Sequence, residues 1–320
     1  MSDPGGWTNP DQPRSDLPPA PPPRPGQTSG YGKPGVIPLR PLSVGEILDG
    51  AVATMRRHPA LVFGMSALIA VVSAALSLGA SYLLLRDIPA ITAPGSAATE
   101  QEQLDYVSEL MRQTSASLGV TLVITVLTRT FLSGFMTVVV GKAVLGHPVS
   151  LRETLSELRP RLLPLLVLTV IYTLIVAVAS IFFLVPGIWL YVLFGLAAPA
   201  LVLERGGIGA SLRRSRLLVQ GTWWRVFGVL LLTVIAGVII SMIIQIPFNL
   251  QLGVGNMDAA QLASRSLGTQ LLSALGQVVA ETVVTPFVAG ATVLLYIDQR
   301  MRKEGMDIQL ARAAGTTPGQ

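Results

Sequence analysis

Residues 43–85 combine two patterns of apolar and polar positions that recur along the chain. In residues 43–57, apolar side chains repeat at three- and four-residue spacing, which predicts one apolar stripe along a helix: Val44, Ile47, Leu48, Ala51, Val52 and Met55. Residues 60–85 then contain no charged side chain. Because about 20 apolar helical residues cross a bilayer core of about 30 Å, we predict a helix on the membrane surface followed by a helix through it.

Six apolar segments approach or exceed the length of a membrane span. They lie at residues 60–85, 118–140, 162–185, 188–203, 226–248 and 271–297. Pro186 and Gly187 predict a tight turn between the third and fourth spans, and Pro199 predicts a kink in the short fourth span. A further short helix is expected at residues 100–112. The predicted fold is an all-α integral membrane protein with six transmembrane helices.

A unit of one amphipathic surface helix and two spans occurs three times in the sequence. Two units open with capping-box spacing, in which a serine and a glutamate side chain each accept a hydrogen bond from a backbone N–H group; the pairs are Ser43–Glu46 and Ser150–Glu153. The third unit starts near Gly207 without this cap. Residues 62–64 and 226–228 both read Val-Phe-Gly where the first and third units enter the membrane. We therefore predict a threefold repeat with three interfacial helices.

The two ends of the chain differ from the spans in composition. Residues 1–41 are rich in proline, glycine and serine, which predicts a disordered, Pro-rich cytoplasmic tail with polyproline II character. This tail is either a docking site for a proline-binding partner or a solvated segment. We assign residues 42–299 to the membrane domain and residues 300–320 to a basic cytoplasmic tail.

The charged residues indicate the orientation in the membrane. Only 13% of the chain is charged, against about 25% in soluble domains, and basic side chains concentrate on the side of the surface helices. The positive-inside rule then places both termini in the cytoplasm, and we predict a multi-pass plasma membrane protein. We expect the surface helices to meet anionic lipid headgroups through Arg56, Arg57, Arg213, Arg214 and Arg216. This explains the net charge of +5 without a nucleic-acid partner.

Two charged residues fall inside predicted spans. Arg129 lies near the middle of the second span and Glu281 near the middle of the sixth. Both spans run in the same direction, so we expect similar depths in the bilayer and an Arg129–Glu281 ion pair that offsets the cost of a buried charge. The pair is either a structural clamp between two helices or part of a transport or gating site.

Three amides lie toward the outer half of the last two spans. They are Gln245, Asn249 and Gln277. They either line a small polar cavity with Glu281 or form hydrogen bonds between helices that stabilise packing.

The sequence contains no recognisable catalytic or cofactor-binding set. It has no cysteine, and its two histidines, His58 and His147, are each followed by proline and lack neighbours at metal-ligand spacing. No serine lies in a nucleophile elbow. We therefore expect no enzyme activity, no cofactor and no metal.

Four segments resemble a known group of membrane proteins. They are residues 40–50 (RPLSVGEILDG), 186–191 (PGIWLY), 201–204 (LVLE, followed by the helix with Arg213 and Arg214) and 295–307 (LYIDQRMRKEGMD). The stretch 38–310 resembles the actinobacterial membrane domain of glycerophosphoryl diester phosphodiesterase. In the enzymes that give the group its name, this region is fused to a catalytic barrel, which these 320 residues lack. The resemblance therefore implies a membrane module without phosphodiesterase activity.

Two function hypotheses follow. The first is a non-catalytic membrane module that acts at the cytoplasmic face of the plasma membrane. It organises either a lipid or a partner protein, and the partner is itself a membrane protein or a cytoplasmic protein. The alternative is a transporter or lipid-translocating protein with a polar midplane site at Arg129 and Glu281. The first predicts a closed helix bundle with basic surface helices, whereas the alternative predicts a polar, partly hydrated cavity that reaches Glu281.

Overall fold

The computed structural model of the chain describes residues 36–38, 40–85, 99–249 and 267–305. Within these ranges the protein is helical and contains no strand. Six helical segments are long and apolar enough to cross a membrane, which confirms the all-α, six-span architecture. Most of the predicted Pro-rich tail and of the C-terminal tail lies outside the described residues, as do residues 86–98 and 250–266.

The first unit consists of α1 (Val44–Arg57), α2 (Pro59–Leu85) and α3 (Glu100–Val144). The predicted capping box is present at α1: the Ser43 N–H donates to Glu46 Oε2 at 2.7 Å, and the Glu46 N–H donates to Ser43 Oγ at 3.3 Å. Ile47 and Ala51, on the predicted stripe, are fully buried. The stripe of α1 therefore packs largely against the bundle.

Helix α3 is longer than the sequence pattern predicts. The short helix expected at residues 100–112 and the span at 118–140 are one continuous helix of 45 residues. A second capping box starts it, formed by Thr99 and Glu102. At a rise of 1.5 Å per residue the helix is about 67 Å long, so its N-terminal part extends well beyond a bilayer core of about 30 Å.

The second unit contains α4 (Leu151–Leu158), a 3-10 turn (Arg159–Arg161), α5 (Leu162–Phe182), α6 (Leu184–Phe194) and α7 (Ala197–Glu204). The prediction of a tight turn at Pro186 and Gly187 is wrong. The helical segment is interrupted at Phe183 instead, and both residues lie in the first turns of α6. A proline in a first helical turn costs no hydrogen bond, since its missing N–H would have no partner there.

The kink predicted from Pro199 is present, but it lies one turn before the proline. α6 and α7 are separated at Gly195 and Leu196. Pro199 cannot donate to the carbonyl of residue 195, and its ring would collide with that carbonyl in a continuous helix. Ser215 satisfies the broken turn: its Oγ accepts from the Leu196 N–H at 3.2 Å and donates to the Leu193 carbonyl at 2.8 Å.

The third unit consists of α8 (Ile208–Val219), α9 (Trp223–Asn249) and α10 (Leu267–Glu304). Across the described residues, an amphipathic helix followed by two spans thus occurs three times. The membrane entries of the first and third units also pack alike. Val62 and Val226 are fully buried, whereas Gly64 and Gly228 are exposed.

The folded domain begins earlier than the predicted boundary at residue 42. Val36 and Ile37 are buried, and the Val36 N–H donates to the Ala143 carbonyl at 3.3 Å. Ile37 also packs on Gly50 of α1. The two apolar residues follow a long polar segment and are too few to predict a core, so the sequence alone assigns them to the tail.

The outward faces of the spans are apolar. On α9 the exposed side chains include Ile235, Ile239, Met242, Ile243 and Ile246. A soluble protein rarely exposes such a continuous apolar surface, whereas hydrocarbon is a favourable solvent for it. This surface is what a membrane-embedded protein requires.

Candidate functional site

The spans line a partly open cavity of about 730 Å³. Its walls come from α3, α5, the α6–α7 segment, α9 and α10. Helix α2 is not among them; it packs against α3 and α10. The bundle therefore contains a cavity, but Glu281, which the transport hypothesis expects the cavity to reach, does not line it.

One wall of the cavity is a polar stripe on α3. Thr121, Thr125, Arg129 and Ser133 are spaced four residues apart and all line the cavity. Residues four apart lie on one face of a helix, so the stripe presents a guanidinium flanked by hydroxyls.

Other walls add hydroxyls among apolar side chains. The hydroxyl-bearing residues are Thr169, Tyr172 and Thr173 on α5, Tyr191 on α6, Ser241 on α9, and Thr285 and Thr292 on α10. Some of these hydroxyls are already used: Thr169 donates to the Leu165 carbonyl at 2.8 Å, and Tyr172 to the Tyr191 carbonyl at 3.3 Å.

Six hydroxyls around the cavity remain available and form no hydrogen bond to any residue that the structure describes: those of Thr121, Thr125, Ser133, Thr173, Tyr191 and Thr285. They come from four different walls. A ligand in the cavity therefore meets hydrogen-bonding groups from several sides.

Arg129 has no ion pair and no hydrogen bond within the described ranges. The predicted Arg129–Glu281 pair is not formed; instead Glu281 Oε1 accepts a hydrogen bond of 2.9 Å from Gln277 Nε2. An unpaired arginine at the bilayer centre costs about 2.5–3.5 kcal/mol or more. The guanidinium is therefore a charge without a protein counter-charge, facing a cavity.

Glu281 does not lie opposite Arg129, because the ends of the apolar segments do not fix how α3 and α10 align along their length. Helix α3 begins 18 residues before the predicted span, and the cavity opposes Arg129 to the segment of α10 that contains Val284, Thr285, Val288, Ala289 and Thr292. These residues lie C-terminal to Glu281 along α10. Glu281 itself does not line the cavity.

The predicted amide-lined cavity is also different from the one observed. Gln245 Nε2 donates to Ser241 Oγ at 2.9 Å, and Gln277 donates to Glu281, so both bonds lie within one helix. Neither glutamine lines the cavity. The prediction for Asn249 falls on a side chain outside the described part of the structure.

The surface arginines divide into exposed and paired groups. Arg56, Arg57, Arg213 and Arg216 are exposed, and none forms an ion pair with a described residue. Arg214 instead bonds to Glu204 at 2.7 Å and to Glu304. Burial disfavours its charged form, but these two bonds outweigh burial and raise the pKa of Arg214.

The sequence analysis missed the hydroxyls of the cavity. The signal was present, because four polar residues at four-residue spacing in an apolar span mark a polar face. The predicted site contains only charged residues and amides. It omits the threonines and serines, whose side chains often bond to their own helix in membrane proteins.

Comparison with known proteins finds a match to part of the chain. A protein-family model described as a domain of unknown function (DUF7847) matches residues 168–298. Searches of curated proteins and of solved structures found no match. The matched range runs from α5 to α10 and includes every wall of the cavity except α3.

Proposed function

We propose that this protein is a membrane-embedded binding protein that takes an amphiphile from the bilayer into its cavity, for transport across or presentation at the membrane. The cavity of about 730 Å³ is the observation that carries this proposal. Pockets of about 300–1,000 Å³ hold ligands of drug-like size. Its mixture of apolar side chains and free hydroxyls suits a molecule with an apolar and a polar part.

The surroundings of the cavity favour entry from the bilayer. The hairpin between α5 and α6, which supplies two of the walls, ends in five exposed apolar residues, 181–185. Such a tip is stable in hydrocarbon and unfavourable in water. An amphiphile dissolved in the membrane therefore fits this protein better than a small hydrophilic solute does.

Filling the cavity tests the proposal. Thr173 lines the cavity on α5, whereas the next residue, Leu174, is exposed on the lipid-facing surface. Native mass spectrometry of the protein purified in mild detergent should find bound lipid in the wild type and in Leu174→Trp, and much less in Thr173→Trp. Equal lipid retention in the two variants would contradict binding in the cavity.

A second candidate function is supported by the exposed arginines. Arg56, Arg57, Arg213 and Arg216 suit a non-catalytic module that gathers anionic lipids, or a partner protein, at the inner leaflet. Replacing all four by glutamine should lower the number of anionic lipids that co-purify on the protein surface while leaving cavity-bound lipid unchanged. Unchanged surface lipid would argue against this role.

The same arginines support the proposed orientation. We place the protein in the plasma membrane with both termini in the cytoplasm, so α8 faces the cytoplasm and the start of α3 lies outside. The natural chain has no cysteine, so single cysteines at exposed Gly209 and Gln101 can be labelled selectively. A membrane-impermeant maleimide added to intact cells should label Gln101→Cys and spare Gly209→Cys. The opposite pattern would reverse the orientation.

The resemblance to phosphodiesterase membrane domains fits a binding module without catalysis. Two carriers of that resemblance, residues 40–50 and the described residues 295–305 of the last segment, lie at the start of α1 and at the C-terminal end of α10. We therefore propose that lipid handling, rather than ester hydrolysis, is the activity of this chain. Purified protein should release no product from a glycerophosphodiester under conditions in which it retains lipid.

A further inference from the structure

We infer that Arg129 binds the oxyanion of the ligand, so that the cavity selects an amphiphile that carries a phosphate or similar acidic group. This inference rests on the proposed binding function and adds the chemical class of the ligand. It is carried by the guanidinium that lacks a counter-charge and by the hydroxyls around it.

The charge balance of the cavity requires an anion. Arg129 is the sole charged residue among those that line the cavity, whose described lining contains no aspartate or glutamate. In a region of low dielectric constant, an unpaired cation attracts an anion far more strongly than it would in water. An anionic ligand would therefore provide the counter-charge that Glu281 does not.

The hydrogen-bonding groups also suit an oxyanion. A guanidinium presents N–H donors in a planar fork that matches two oxygens of a phosphate or carboxylate. Thr125 and Ser133 lie one turn before and after Arg129 on the same face, and their hydroxyls are free to donate. Thr173 and Thr285 supply further free hydroxyls from other walls. Together these groups form a donor-rich pocket for several oxygens.

The lining disfavours a zwitterionic headgroup. A choline or ethanolamine cation beside the phosphate is stabilised by a carboxylate or by an aromatic face. The described lining contains no carboxylate; its aromatic side chains are Tyr172, Tyr191 and Phe194, and the guanidinium of Arg129 would repel the cation. Leu118, Leu122, Val234 and Val238 surround the rest of the cavity with apolar surface that suits a hydrocarbon chain. We therefore expect selection for a net negative headgroup.

The test uses the full chain in nanodiscs that contain equal amounts of phosphatidylglycerol and phosphatidylcholine. Bound lipid is identified by native mass spectrometry for the wild type, Arg129→Gln, Arg129→Lys and Arg112→Gln. Arg112 is the matched control, because it lies on the same helix but is exposed and paired with Glu109 at 2.6 Å. We expect at least a tenfold preference for phosphatidylglycerol in the wild type and in Arg112→Gln. The preference should vanish in Arg129→Gln and return in part in Arg129→Lys.

A second arm identifies the source of the oxyanion. In nanodiscs of phosphatidylcholine alone, inorganic phosphate is added, and its binding is followed by calorimetry. Binding that depends on Arg129 would support the oxyanion site with a free phosphate as its ligand. In the nanodiscs that contain both lipids, a preference for phosphatidylglycerol that added phosphate does not reduce would support a lipid headgroup as the ligand. An unchanged lipid preference in Arg129→Gln, with no Arg129-dependent binding of phosphate, would overturn the inference.

Failure of this inference differs from failure of the proposed function. If Arg129→Gln retains lipid without headgroup preference and Thr173→Trp loses it, the cavity binds an amphiphile and the wild-type preference is due to Arg129. If the wild type holds both lipids equally and Thr173→Trp releases both, the inference is wrong and the binding function stands. If Thr173→Trp releases nothing, the binding function itself is wrong. Thermal melting of Arg129→Gln, expected at or above the wild-type temperature, separates loss of binding from loss of folding.

Discussion

The backbone N–H of Leu42 donates a hydrogen bond of 2.8 Å to Asp298, whose side chain is fully buried. The Leu42 carbonyl accepts from Arg225 at 2.7 Å and from Arg302 at 2.6 Å, and both arginines also pair with the Asp298 carboxylate. One carboxylate and two guanidinium groups thus hold both backbone polar groups of a single residue, Leu42. This clamp joins the start of α1 to α9 and α10.

Asp298→Asn should weaken this clamp. The substitution keeps an acceptor for Leu42 but leaves two partly buried guanidinium groups without their counter-charge. Losing one partner of a buried ion pair costs about 3–5 kcal/mol, and the partial exposure of Arg225 and Arg302 places the expected loss near the lower end. The apparent melting temperature in detergent measures it. Glu109→Gln, which removes an exposed pair, is the control and should change the temperature little.

Ser215→Ala should destabilise the kink between α6 and α7. Ser215 is fully buried and bonds to both the Leu196 N–H and the Leu193 carbonyl. Removing the hydroxyl leaves two buried backbone groups without a partner, at a cost of about 2–3 kcal/mol. Ser156→Ala removes an exposed hydroxyl that bonds only within α4 and serves as its control. Similar melting temperatures for the two variants would show that the bond across the kink contributes nothing.

Gly187→Ala should destabilise the hairpin of α5 and α6. A β-carbon there would lie 2.9 Å from the Ser180 Cβ, closer than real contacts of this kind, and would also overlap the Ser180 hydroxyl. Relieving the clash requires separation of two helices, with an expected cost of about 1–3 kcal/mol. At Gly228 a β-carbon meets no atom within 4 Å, so Gly228→Ala should be neutral or slightly stabilising. If the melting temperatures of Gly187→Ala and Gly228→Ala change in the same direction, the predicted clash at Gly187 is contradicted.

The N-terminal cap of α1 should lose its contribution in acid. The hydrogen bond from the Ser43 backbone N–H, together with the nearby Arg40 guanidinium, lowers the pKa of the Glu46 carboxyl below its ordinary value of 4.5. Since the carboxylate is favoured in the folded state, its stabilising effect is present above about pH 4.5 and disappears as the pH falls through the lowered pKa. Wild type should therefore melt above Glu46→Gln at pH 7, and the difference should shrink below pH 4.5. If the difference in melting temperature between wild type and Glu46→Gln stays constant with pH, it does not originate from the charge of the Glu46 carboxylate.

Local features of the fold could be predicted from the sequence because they depend on neighbours in the chain. The capping box at Ser43 and Glu46, the stripe of α1 and the six apolar segments all follow from spacing within a few turns of helix. The predicted kink at Pro199 is equally local, and its displacement to Gly195 follows from the hydrogen bond that proline cannot make.

The candidate site could be predicted only in part. The sequence identifies Arg129 as an unusual charge inside a span. Depth along the spans alone does not identify the side chains that lie opposite it. Which side chains surround it depends on how α3 rotates and shifts against α10, and span ends do not fix that register. The same limit applies to Gln245 and Gln277, whose bonds stay within their own helices.

The sequence by itself determined the solvent of this protein, the number of its spans and the places where its surface helices begin. Those properties follow from the length and period of apolar runs, which a helix converts directly into a face and a depth. Only the tertiary structure decided that Arg129 faces a cavity whose described lining contains no carboxylate, and that Asp298 accepts a hydrogen bond from the Leu42 N–H. Both depend on contacts between residues far apart in the chain, which arise when the helices pack.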